Sequence, residues 1–318
     1  MNCCVVTGGA GFIGSHLVKH LVQDAGEIRV IDDLSTGTVE NLNPVMDDID
    51  FFNGSICDAS LMTRVCEGAS HVFHQAALAS VQRSVQNPVA TNRVNVEGTL
   101  EVLSAAQQNG VERVIYASSS SVYGDSPTLP KSESMAINPK SPYASSKAAG
   151  EFYCQNYGDL FELETVSLRY FNVFGPHQDP QSQYAAVIPL FVTSLLNNEP
   201  PTIFGDGEQS RDFTFIDDVV RANLLAATSP KAAGKTFNVA CGQRYTLNEL
   251  IDLLTDITHS DIPPTYTDER PGDVRHSQAD ISRARNILGY SPSVTFEEGL
   301  KRTVEYYQNQ TPQNETIS

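Results

Sequence analysis

A glycine-rich segment near the amino terminus constrains the fold of this chain more than any other feature. A short apolar run at residues 3–7 leads into TGGAGFIG at residues 7–14, and a helical pattern follows. Glycines at positions 8, 11 and 14 allow a tight turn, close approach of a pyrophosphate and close packing of helix on strand. Unpaired N–H groups and the helix dipole favour an anion there. The segment therefore predicts a strand, a turn and a helix that bind a dinucleotide.

The second predicted strand ends in two acidic residues. It covers residues 28–31, and Asp32 and Asp33 follow it. A carboxylate about 20 residues after the glycine turn is the group that binds the adenosine ribose in such sites. Because no arginine stands nearby to bind a 2′-phosphate, the pattern predicts NAD rather than NADP as the cofactor.

Short apolar runs alternate with helical patterns through the first half, which is typical of βαβ units on a parallel sheet. After about Arg169, proline and glycine interrupt the chain often. We therefore predict an α/β fold, a Rossmann-type doubly wound parallel sheet with a smaller mixed α/β domain. The NAD-binding domain is predicted at 1–169 and 212–241, because 214–227 and 235–240 again resemble a helix and a strand. The substrate-binding domain is predicted at 170–211 and 242–318.

The charge balance excludes several classes of partner. The chain has 21 Lys and Arg against 38 Asp and Glu, a formal net charge of -17. Such a charge repels nucleic acid and anionic membrane surfaces, so any phosphate must be held by local donors. No apolar run reaches the roughly 18 residues that a spanning helix needs. The six cysteines form no C-x-x-C pair, and a strand is predicted almost from Met1, so we expect reduced thiols and a cytoplasmic protein without a signal peptide.

A tyrosine and a lysine stand four residues apart in a later helical pattern. Tyr143 and Lys147 therefore point the same way. A phenol has a pKa of about 10, and an ammonium one turn away enables it to act as a base near neutral pH. Ser119 lies in a serine run at the end of the predicted strand 114–117. Together these residues predict proton transfer beside the dinucleotide.

Two histidines on the first helix, His16 and His20, would share one face, as metal ligands sometimes do. No third ligand follows at a suitable spacing. We therefore predict a packed or solvated pair and no metal site.

In this order, the motifs resemble the extended short-chain dehydrogenase/reductase family, and within it the UDP-hexose 4-epimerases, over nearly the whole chain. The resemblance rests on residues 7–14, 32–37, 74–77, 95–99, 118–124, 143–147, 169–176, 205–207 with 211–212, and 270–273. It implies a UDP-sugar substrate whose C4 is inverted through a transient 4-keto intermediate with tightly bound NAD. It also implies that Ser119 polarises the sugar O4, that Tyr143 is the general base, and that Lys147 lowers the tyrosine pKa and binds the nicotinamide ribose.

The resemblance further implies the residues of the two binding sites. Those for the cofactor are Gly8, Gly11, Phe12, Ile13, Asp32, Asp33, Leu34, Ser35, Thr36, Gly37, Ser55, Ile56, Gln75, Ala76, Ala77, Asn95, Ser118, Tyr143, Lys147 and Tyr170. Those for the substrate are Ser119, Ser121, Tyr143, Asn172, Ala186, Val187, Thr202, Ile203, Phe204, Arg211, Arg270, Asp273 and Ser277. Relatives usually carry Asp at position 55, where it binds the adenine amino group, so Ser55 implies a weaker adenine contact.

Within the substrate set, Asn172, Arg211 and Arg270 are expected to hold the diphosphate, Asp273 the uridine ribose, and residues 202–204 the uracil. Two arginines in an acidic protein suit a phosphate clamp. Each arginine has an alternative partner in a nearby aspartate of the sequence, Asp212 or Asp273.

The residue four after the Arg-Pro-Gly-Asp segment governs, in relatives, how large a C2 substituent fits. A bulky Tyr there restricts the pocket to glucose and galactose, whereas this chain has Ser277. Residues 174–180 and 184–189 also resemble the subgroup that handles N-acetylated sugars. We therefore expect UDP-GlcNAc and UDP-GalNAc to be interconverted, and UDP-glucose and UDP-galactose to be accepted too. The alternative is that Ser277 is an ordinary loop residue.

Four other functions are compatible with this fold. Similar 4,6-dehydratases carry an Asp-Glu pair, and related decarboxylases a Glu, where this chain has Ser120 and Ser121, so epimerisation is favoured. A UDP-glucuronate 4-epimerase stays open because that group also resembles the serine strand. A non-catalytic dinucleotide-sensing protein usually loses the Tyr or the Lys, and this chain keeps both. Finally, the resemblance implies a homodimer through helices around residues 94–108 and 143–157.

Overall fold

The computed structural model describes residues 1–180, 186–269 and 274–310. Its strands are β1 (Cys3–Thr7), β2 (Glu27–Asp32), β3 (Asp50–Asn53), β4 (His71–His74), β5 (Arg113–Ser119), β6 (Glu164–Tyr170), β7 (Val173–Phe174), β8 (Thr202–Phe204), β9 (Ser210–Arg211), β10 (Thr214–Phe215), β11 (Lys235–Val239), β12 (Tyr245–Thr246) and β13 (Thr265–Thr267). Its helices are α1 (Phe12–Asp24), α2 (Ala59–Cys66), α3 (Val81–Gln86), α4 (Pro88–Asn92), α5 (Gly98–Gln108), α6 (Pro142–Phe161), α7 (Val187–Leu196), α8 (Ile216–Thr228), α9 (Leu247–Thr258), α10 (Ser282–Leu288) and α11 (Phe296–Gln310).

Seven strands form one parallel sheet in the order β3-β2-β1-β4-β5-β6-β11. The strand order reverses between β1 and β4, and such a reversal opens a crevice at the carboxyl ends of the strands. This doubly wound α/β sheet confirms the predicted fold class. Strand β11 pairs with β6, so the segment predicted to return to the first sheet does so. The division into two domains stays a prediction.

Helices cover both faces of this sheet. Helices α1 and α8 pack together, and α2, α5 and α6 form a second group. Because side chains alternate along a strand, Cys4 and Val6 of β1 enter one buried core, and Cys3 and Val5 enter another. The two neighbouring thiols therefore lie on opposite sides of the sheet, and all six cysteines are free.

The later elements form short strand pairs and a small helical group. Strand β7 pairs with β10, β8 with β13 and β9 with β12, while α7, α9 and α11 pack on one another. Phe296 of α11 stacks on Phe213 and Tyr245, with ring centroids 5.1 and 4.3 Å away. These rings fix α11 against the segments around β9 and β12. Within the described ranges, no helix combines the length and apolar character needed to cross a membrane.

Helix α6 contacts both β5 and β6 and begins at a defined cap. Ser141 Oγ accepts the Ala144 N–H at 3.1 Å, and Pro142 occupies the first turn, where a missing N–H is harmless. A Cβ added at Gly150 would lie 2.1 Å from the hydroxyl oxygen of Tyr116 in β5. Tyr116 is fully buried and has no free space to enter. The absence of a side chain at Gly150 therefore lets α6 approach the sheet closely.

Two glycine substitutions in α6 are expected to change stability in opposite directions. Gly150→Ala drives a methyl group into Tyr116 and should lower the free energy of unfolding by about 1–3 kcal/mol, the usual cost of overpacking. At Gly158 the nearest heavy atom to an added Cβ lies at 3.6 Å. Gly158→Ala should raise stability by about 0.5–1 kcal/mol, because alanine loses less backbone entropy in a helix. Urea unfolding measures both, and a Gly150→Ala protein as stable as wild type contradicts the packing argument.

Candidate active site

The glycine turn between β1 and α1 forms one part of the candidate site. Gly8 has a φ of 67°, which favours glycine, and a Cβ on Gly14 would lie 2.1 Å from the Gly8 carbonyl oxygen. Gly11 caps α1 without a side-chain hydrogen bond. The first turn of α1 therefore offers N–H groups and the positive end of its dipole to an anion such as a pyrophosphate.

Asp32 ends β2 beside this turn. Its two carboxylate oxygens accept the N–H groups of Ala10 and Leu34 at 2.9 and 2.8 Å. Burial raises the pKa of Asp32, and these hydrogen bonds oppose the rise. The carboxylate is thereby fixed against the glycine turn, and its remaining lone pairs can accept ribose hydroxyls.

A cleft of about 1110 Å³ opens next to the ends of β1, β2 and β4. Most residues predicted to bind NAD border it: Gly8, Gly11, Phe12, Ile13, Asp32, Asp33, Ser35, Thr36, Ile56, Gln75, Ala76 and Ala77. Ala186, predicted to contact the substrate, borders it as well. Ser55 lines a smaller hollow of about 390 Å³ that shares Val94 with the cleft. The cleft thus lies at the strand reversal and has the glycine cradle and acid that a dinucleotide requires.

Two other residues of the predicted cofactor set, Asn95 and Tyr170, support the wall of the cleft through hydrogen bonds. Asn95 is buried, and its amide accepts the Leu78 N–H at 2.8 Å and donates to Ser146 Oγ at 3.0 Å. The Tyr170 hydroxyl donates to the amide oxygen of Gln75 at 3.2 Å. These two side chains therefore support the 75–78 segment of the cleft wall.

Three further members of that set lie close to the turn or to the sheet core. Leu34 has a φ of 57° and donates its N–H to Asp32, and a Cβ on Gly37 would lie 2.7 Å from the Ala10 backbone, so Gly37 packs against the glycine turn. Ser118 is buried, and its hydroxyl donates to Glu151 of α6. The Ser118 side chain therefore belongs to a buried polar cluster.

Ser119, Tyr143 and Lys147 come together where β5 ends against the first turns of α6. Burial raises the pKa of Tyr143, and a hydrogen bond with Ser119 lowers it. The Lys147 ammonium donates to the Ala117 carbonyl oxygen at 2.8 Å, and burial lowers its pKa to about 8. Ser121 Oγ donates to Ser119 Oγ at 2.9 Å. A phenol, a cation and two hydroxyls are thus gathered at one strand end, which suits proton exchange with a substrate hydroxyl.

The residues predicted to bind the substrate are brought together in part. Ser277 donates its N–H to the Ser210 carbonyl oxygen at 2.9 Å, and Arg211 follows Ser210 in β9. Asn172 Nδ2 donates to the Asp212 carbonyl oxygen at 3.0 Å. The short segment 210–212 therefore brings together three of the predicted residues: Asn172, Arg211 and Ser277. Val187 begins α7, and Thr202, Ile203 and Phe204 form β8. Arg270 and Asp273 lie outside the described residues.

Sequence reasoning assigned no role to Gln178, which also borders the cleft. Its Nε2 donates to the Val173 carbonyl oxygen at 3.0 Å, whereas its Oε1 is buried and has no hydrogen-bond partner among the described residues. A buried amide oxygen without a donor is costly unless a ligand supplies one. The sequence around residue 178 resembles that of relatives, but only the folded structure shows that the Gln178 Oε1 is an acceptor without a donor.

The first of the two helix histidines is packed against protein. His16 Nε2 contacts the Pro176 carbonyl oxygen at 3.0 Å, and its ring meets that of His177 edge-on. Burial lowers the pKa of His16 to about 4. Among the residues that the structure describes, no group of three His, Cys, Asp or Glu side chains is arranged to hold a metal ion.

Comparison with known proteins gives consistent matches. Residues 4–240 match the model of the NAD dependent epimerase/dehydratase family. The UDP-glucose 4-epimerase of Mycolicibacterium smegmatis is 41% identical over 96% of this chain and 99% of its own. A UDP-N-acetylglucosamine 4-epimerase structure from Methanobrevibacter ruminantium, in complex with UDP-N-acetylmuramic acid, is 44% identical, with a TM-score of 0.94 over 98% of this chain and 99% of its own.

A third match is a crystal structure of UDP-glucose 4-epimerase from Thermotoga maritima with UDP-glucose. It is 41% identical, with a TM-score of 0.93 over 97% of this chain and 99% of its own. The glycine cradle, Asp32 and the cleft at the strand reversal agree with the cofactor that the family description states. The chain therefore belongs to the NAD dependent epimerase/dehydratase family, and NAD is its cofactor.

Proposed function

We propose that this protein is a UDP-sugar 4-epimerase that interconverts UDP-GlcNAc and UDP-GalNAc and also accepts UDP-glucose and UDP-galactose. The observation that carries the proposal is the contact between Tyr143 and Ser119, with Lys147 buried on the same helix. The related epimerases, which match along almost the whole chain, support the same reaction class.

In the proposed reaction, Tyr143 takes the proton of the sugar 4-hydroxyl while Ser119 polarises the same oxygen. Lys147, one helical turn away, stabilises the tyrosinate and binds the nicotinamide ribose. NAD, held by the glycine turn and Asp32, would supply the acceptor and donor of the C4 hydride. Tyr143 gives the proton back, so the protein ends each cycle unchanged. Arg211 and Asn172 anchor the diphosphate while the sugar turns.

Water elimination is disfavoured by the groups at the strand end. Ser120 and Ser121 stand where similar dehydratases carry an acid pair, and the Ser121 hydroxyl bonds to Ser119. A hydroxyl with an ordinary pKa far above neutrality cannot supply the proton that a leaving hydroxide needs. Epimerisation therefore suits this site better than dehydration.

Two features support an N-acetylated substrate. Ser277 is smaller than the tyrosine of the glucose-restricted relatives, and its backbone bonds to Ser210, the residue before Arg211. Gln178 borders the cleft, and its buried Oε1 lacks a donor within the described chain. The N–H of an acetamido group supplies such a donor. A UDP-glucuronate 4-epimerase remains the alternative, and a panel of UDP-sugars followed by separation of the epimers distinguishes the two.

The protein is further proposed to form a homodimer. Val81, Val85 and Val89 on α3 and α4 are 40%, 63% and 77% exposed, and Phe152 on α6 is 56% exposed. Helices α3, α4 and α6 pack on one another, so these side chains belong to neighbouring helices. Exposed apolar groups on adjacent helices favour burial against a second copy.

Replacing the proposed base tests the chemistry. Tyr143→Phe removes the ionisable hydroxyl but keeps the ring, so kcat for UDP-sugar epimerisation should fall by about 10² or more. Bound NAD and the affinity for UDP should stay near their wild-type values, which calorimetry and extraction of the nucleotide measure. Near-normal turnover would exclude Tyr143 as the base.

Replacing the proposed gate tests the substrate. Ser277→Tyr should lower turnover of UDP-GlcNAc by roughly 5- to 150-fold, since steric overlap costs about 1–3 kcal/mol, and should spare UDP-glucose. Ser134→Tyr, at an exposed serine, serves as the matched control. Equal loss with both sugars, or a wild-type enzyme inactive on UDP-GlcNAc, would show that Ser277 is not the gate.

Charges placed on the proposed interface test the assembly. Val85→Asp and Phe152→Asp should convert the dimer to monomer, because burying an unpaired carboxylate is strongly unfavourable. Leu160→Asp alters a side chain that is 72% exposed but lies outside the proposed patch of Val81, Val85, Val89 and Phe152, so this variant should remain dimeric. Light scattering at micromolar concentration reads the mass, and a monomeric wild type would refute the proposal.

A further inference from the structure

Glu151 lies one helical turn after Lys147, and the proposed function gives it no role. It is a buried carboxylate on the face of α6 that meets the sheet. Its Oε1 accepts the Ser118 hydroxyl, and its two oxygens accept Nε and Nη2 of Arg169 at 2.8 and 2.7 Å. A charged pair inside a protein contributes little net stability compared with apolar side chains of similar volume. Stability alone is therefore a weak reason for this cluster.

The cluster joins the two strands that lie under α6. Ser118 of β5 and Arg169 of β6 are directly paired in the sheet, and Glu151 bonds to both. The preceding residue of β5, Ala117, accepts the Lys147 ammonium. Consecutive turns of α6 thus hold consecutive residues of β5. Ser119 is the next residue along that strand, so its position relative to α6 follows from these bonds.

Arg169 extends the connection beyond Ser119. Its guanidinium carbon lies 4.7 Å from the centre of the Tyr123 ring. Tyr123 ends the short helical turn that starts directly after Ser119, and its hydroxyl donates to Asn238 of β11 at 2.7 Å. The Glu151 and Arg169 pair therefore holds the chain on both sides of Ser119.

We propose that Glu151 is a positioning residue for the epimerase chemistry, which holds Ser119 against Tyr143 by binding Ser118 and Arg169 and supplies the buried negative charge next to Lys147. The inference rests on the proposed function, because it assigns Glu151 to the Ser119, Tyr143 and Lys147 set. Glu151 acts in this proposal through its bonds to Ser118 and Arg169.

The charges around Lys147 support the proposal that Glu151 supplies the negative charge next to it. Tyr143, Glu151 and Cys154 share its helix, Tyr116 faces it from β5 with the ring centre 5.1 Å from Nζ, and His74 approaches it from β4. Burial lowers the pKa of His74 to about 3 and raises the pKa of Cys154 to about 12, so neither is charged near neutrality. Burial also raises the pKa of Tyr143, which is a neutral phenol before it takes the substrate proton. Among the described groups that act on Lys147 in that state, Glu151 is therefore the anion that opposes the lowering of the Lys147 pKa by burial.

Replacement of the carboxylate tests this role on the full-length protein with its NAD. Glu151→Gln keeps the shape but removes the charge, so kcat should fall by about tenfold or more while KM for the UDP-sugar and the bound NAD stay unchanged. Without the anion, the pKa of Lys147 falls further and the ammonium is lost at lower pH. The basic limb of the kcat profile should therefore move to lower pH.

A second variant separates positioning from a purely structural ion pair, since Glu151→Gln alone leaves Arg169 buried and unpaired. Glu151→Gln with Arg169→Gln removes both charges and should recover the thermal midpoint. If Glu151 acts as proposed, kcat of this double variant stays low and its basic limb stays shifted. Recovery of wild-type kcat and pH profile in the double variant, or wild-type behaviour of Glu151→Gln, overturns the proposal.

The Ser118 bond has its own control. Ser118→Ala should lower kcat severalfold without a change in KM, because it releases β5 from Glu151. Ser167→Ala removes a different buried hydroxyl, which lies on β6, and should leave kcat unchanged. Equal kcat in Ser118→Ala and wild type would remove Ser118 from the argument and contradict the positioning role.

One readout is independent of turnover. The ionisation of Tyr143 is measured by ultraviolet difference titration, with each protein compared with its own Tyr143→Phe counterpart. Glu151 lies two helical turns from Tyr143 and Lys147 only one, so earlier loss of the Lys147 ammonium should outweigh loss of the carboxylate and raise the pKa of Tyr143 in Glu151→Gln. If the wild-type protein epimerises no UDP-sugar, the proposed function fails. The titration then decides by itself whether Glu151 affects the ionisation of Tyr143 and Lys147, and an unchanged Tyr143 pKa in Glu151→Gln refutes that role.

Discussion

The contact of α6 with β5 is the interaction on which the candidate site depends. Gly150 lets the helix lie against Tyr116, and this close approach brings the Lys147 ammonium within 2.8 Å of the β5 backbone. One turn earlier, the same helix presents Tyr143 to Ser119 at the end of that strand. A helix held further from the sheet would separate the phenol from the serine. The chemistry is therefore set by helix-to-sheet packing and not by a flexible loop.

The reversal of strand order between β1 and β4 supplies the second part of the site. Loops leaving the two strands diverge there, so the cleft opens beside the glycine turn and Asp32. The net charge of -17 gives no general attraction for a dinucleotide or a UDP-sugar. Binding must therefore come from N–H groups at the start of α1 and from individual cations such as Arg211.

The later segments are tied to this sheet by a buried carboxylate. Asp212 accepts the N–H groups of Cys241, Gly242 and Ala279 at 2.9, 3.0 and 3.0 Å. Burial raises the pKa of Asp212 to about 7, although the three hydrogen bonds lower it. Because Arg211 precedes Asp212, the same anchor fixes the proposed diphosphate ligand. Because the pKa of Asp212 is higher in the folded protein than its ordinary value of 3.8, ionisation of this side chain costs stability, which is greatest below about pH 4 and falls as the pH rises to about 7.

The sequence by itself determined the features that depend on local spacing. The glycines at 8, 11 and 14, the acid at Asp32 and the Tyr143 and Lys147 pair were predictable because a turn or one helical repeat fixes their geometry. Tertiary structure alone decided the Glu151, Ser118 and Arg169 cluster, because its members come from a helix and two strands that meet only after the sheet forms. The Gln178 Oε1, which has no hydrogen-bond partner among the described residues, likewise has no signature in the sequence. Burial and hydrogen-bond partners are properties of the packed chain, which residue spacing does not encode.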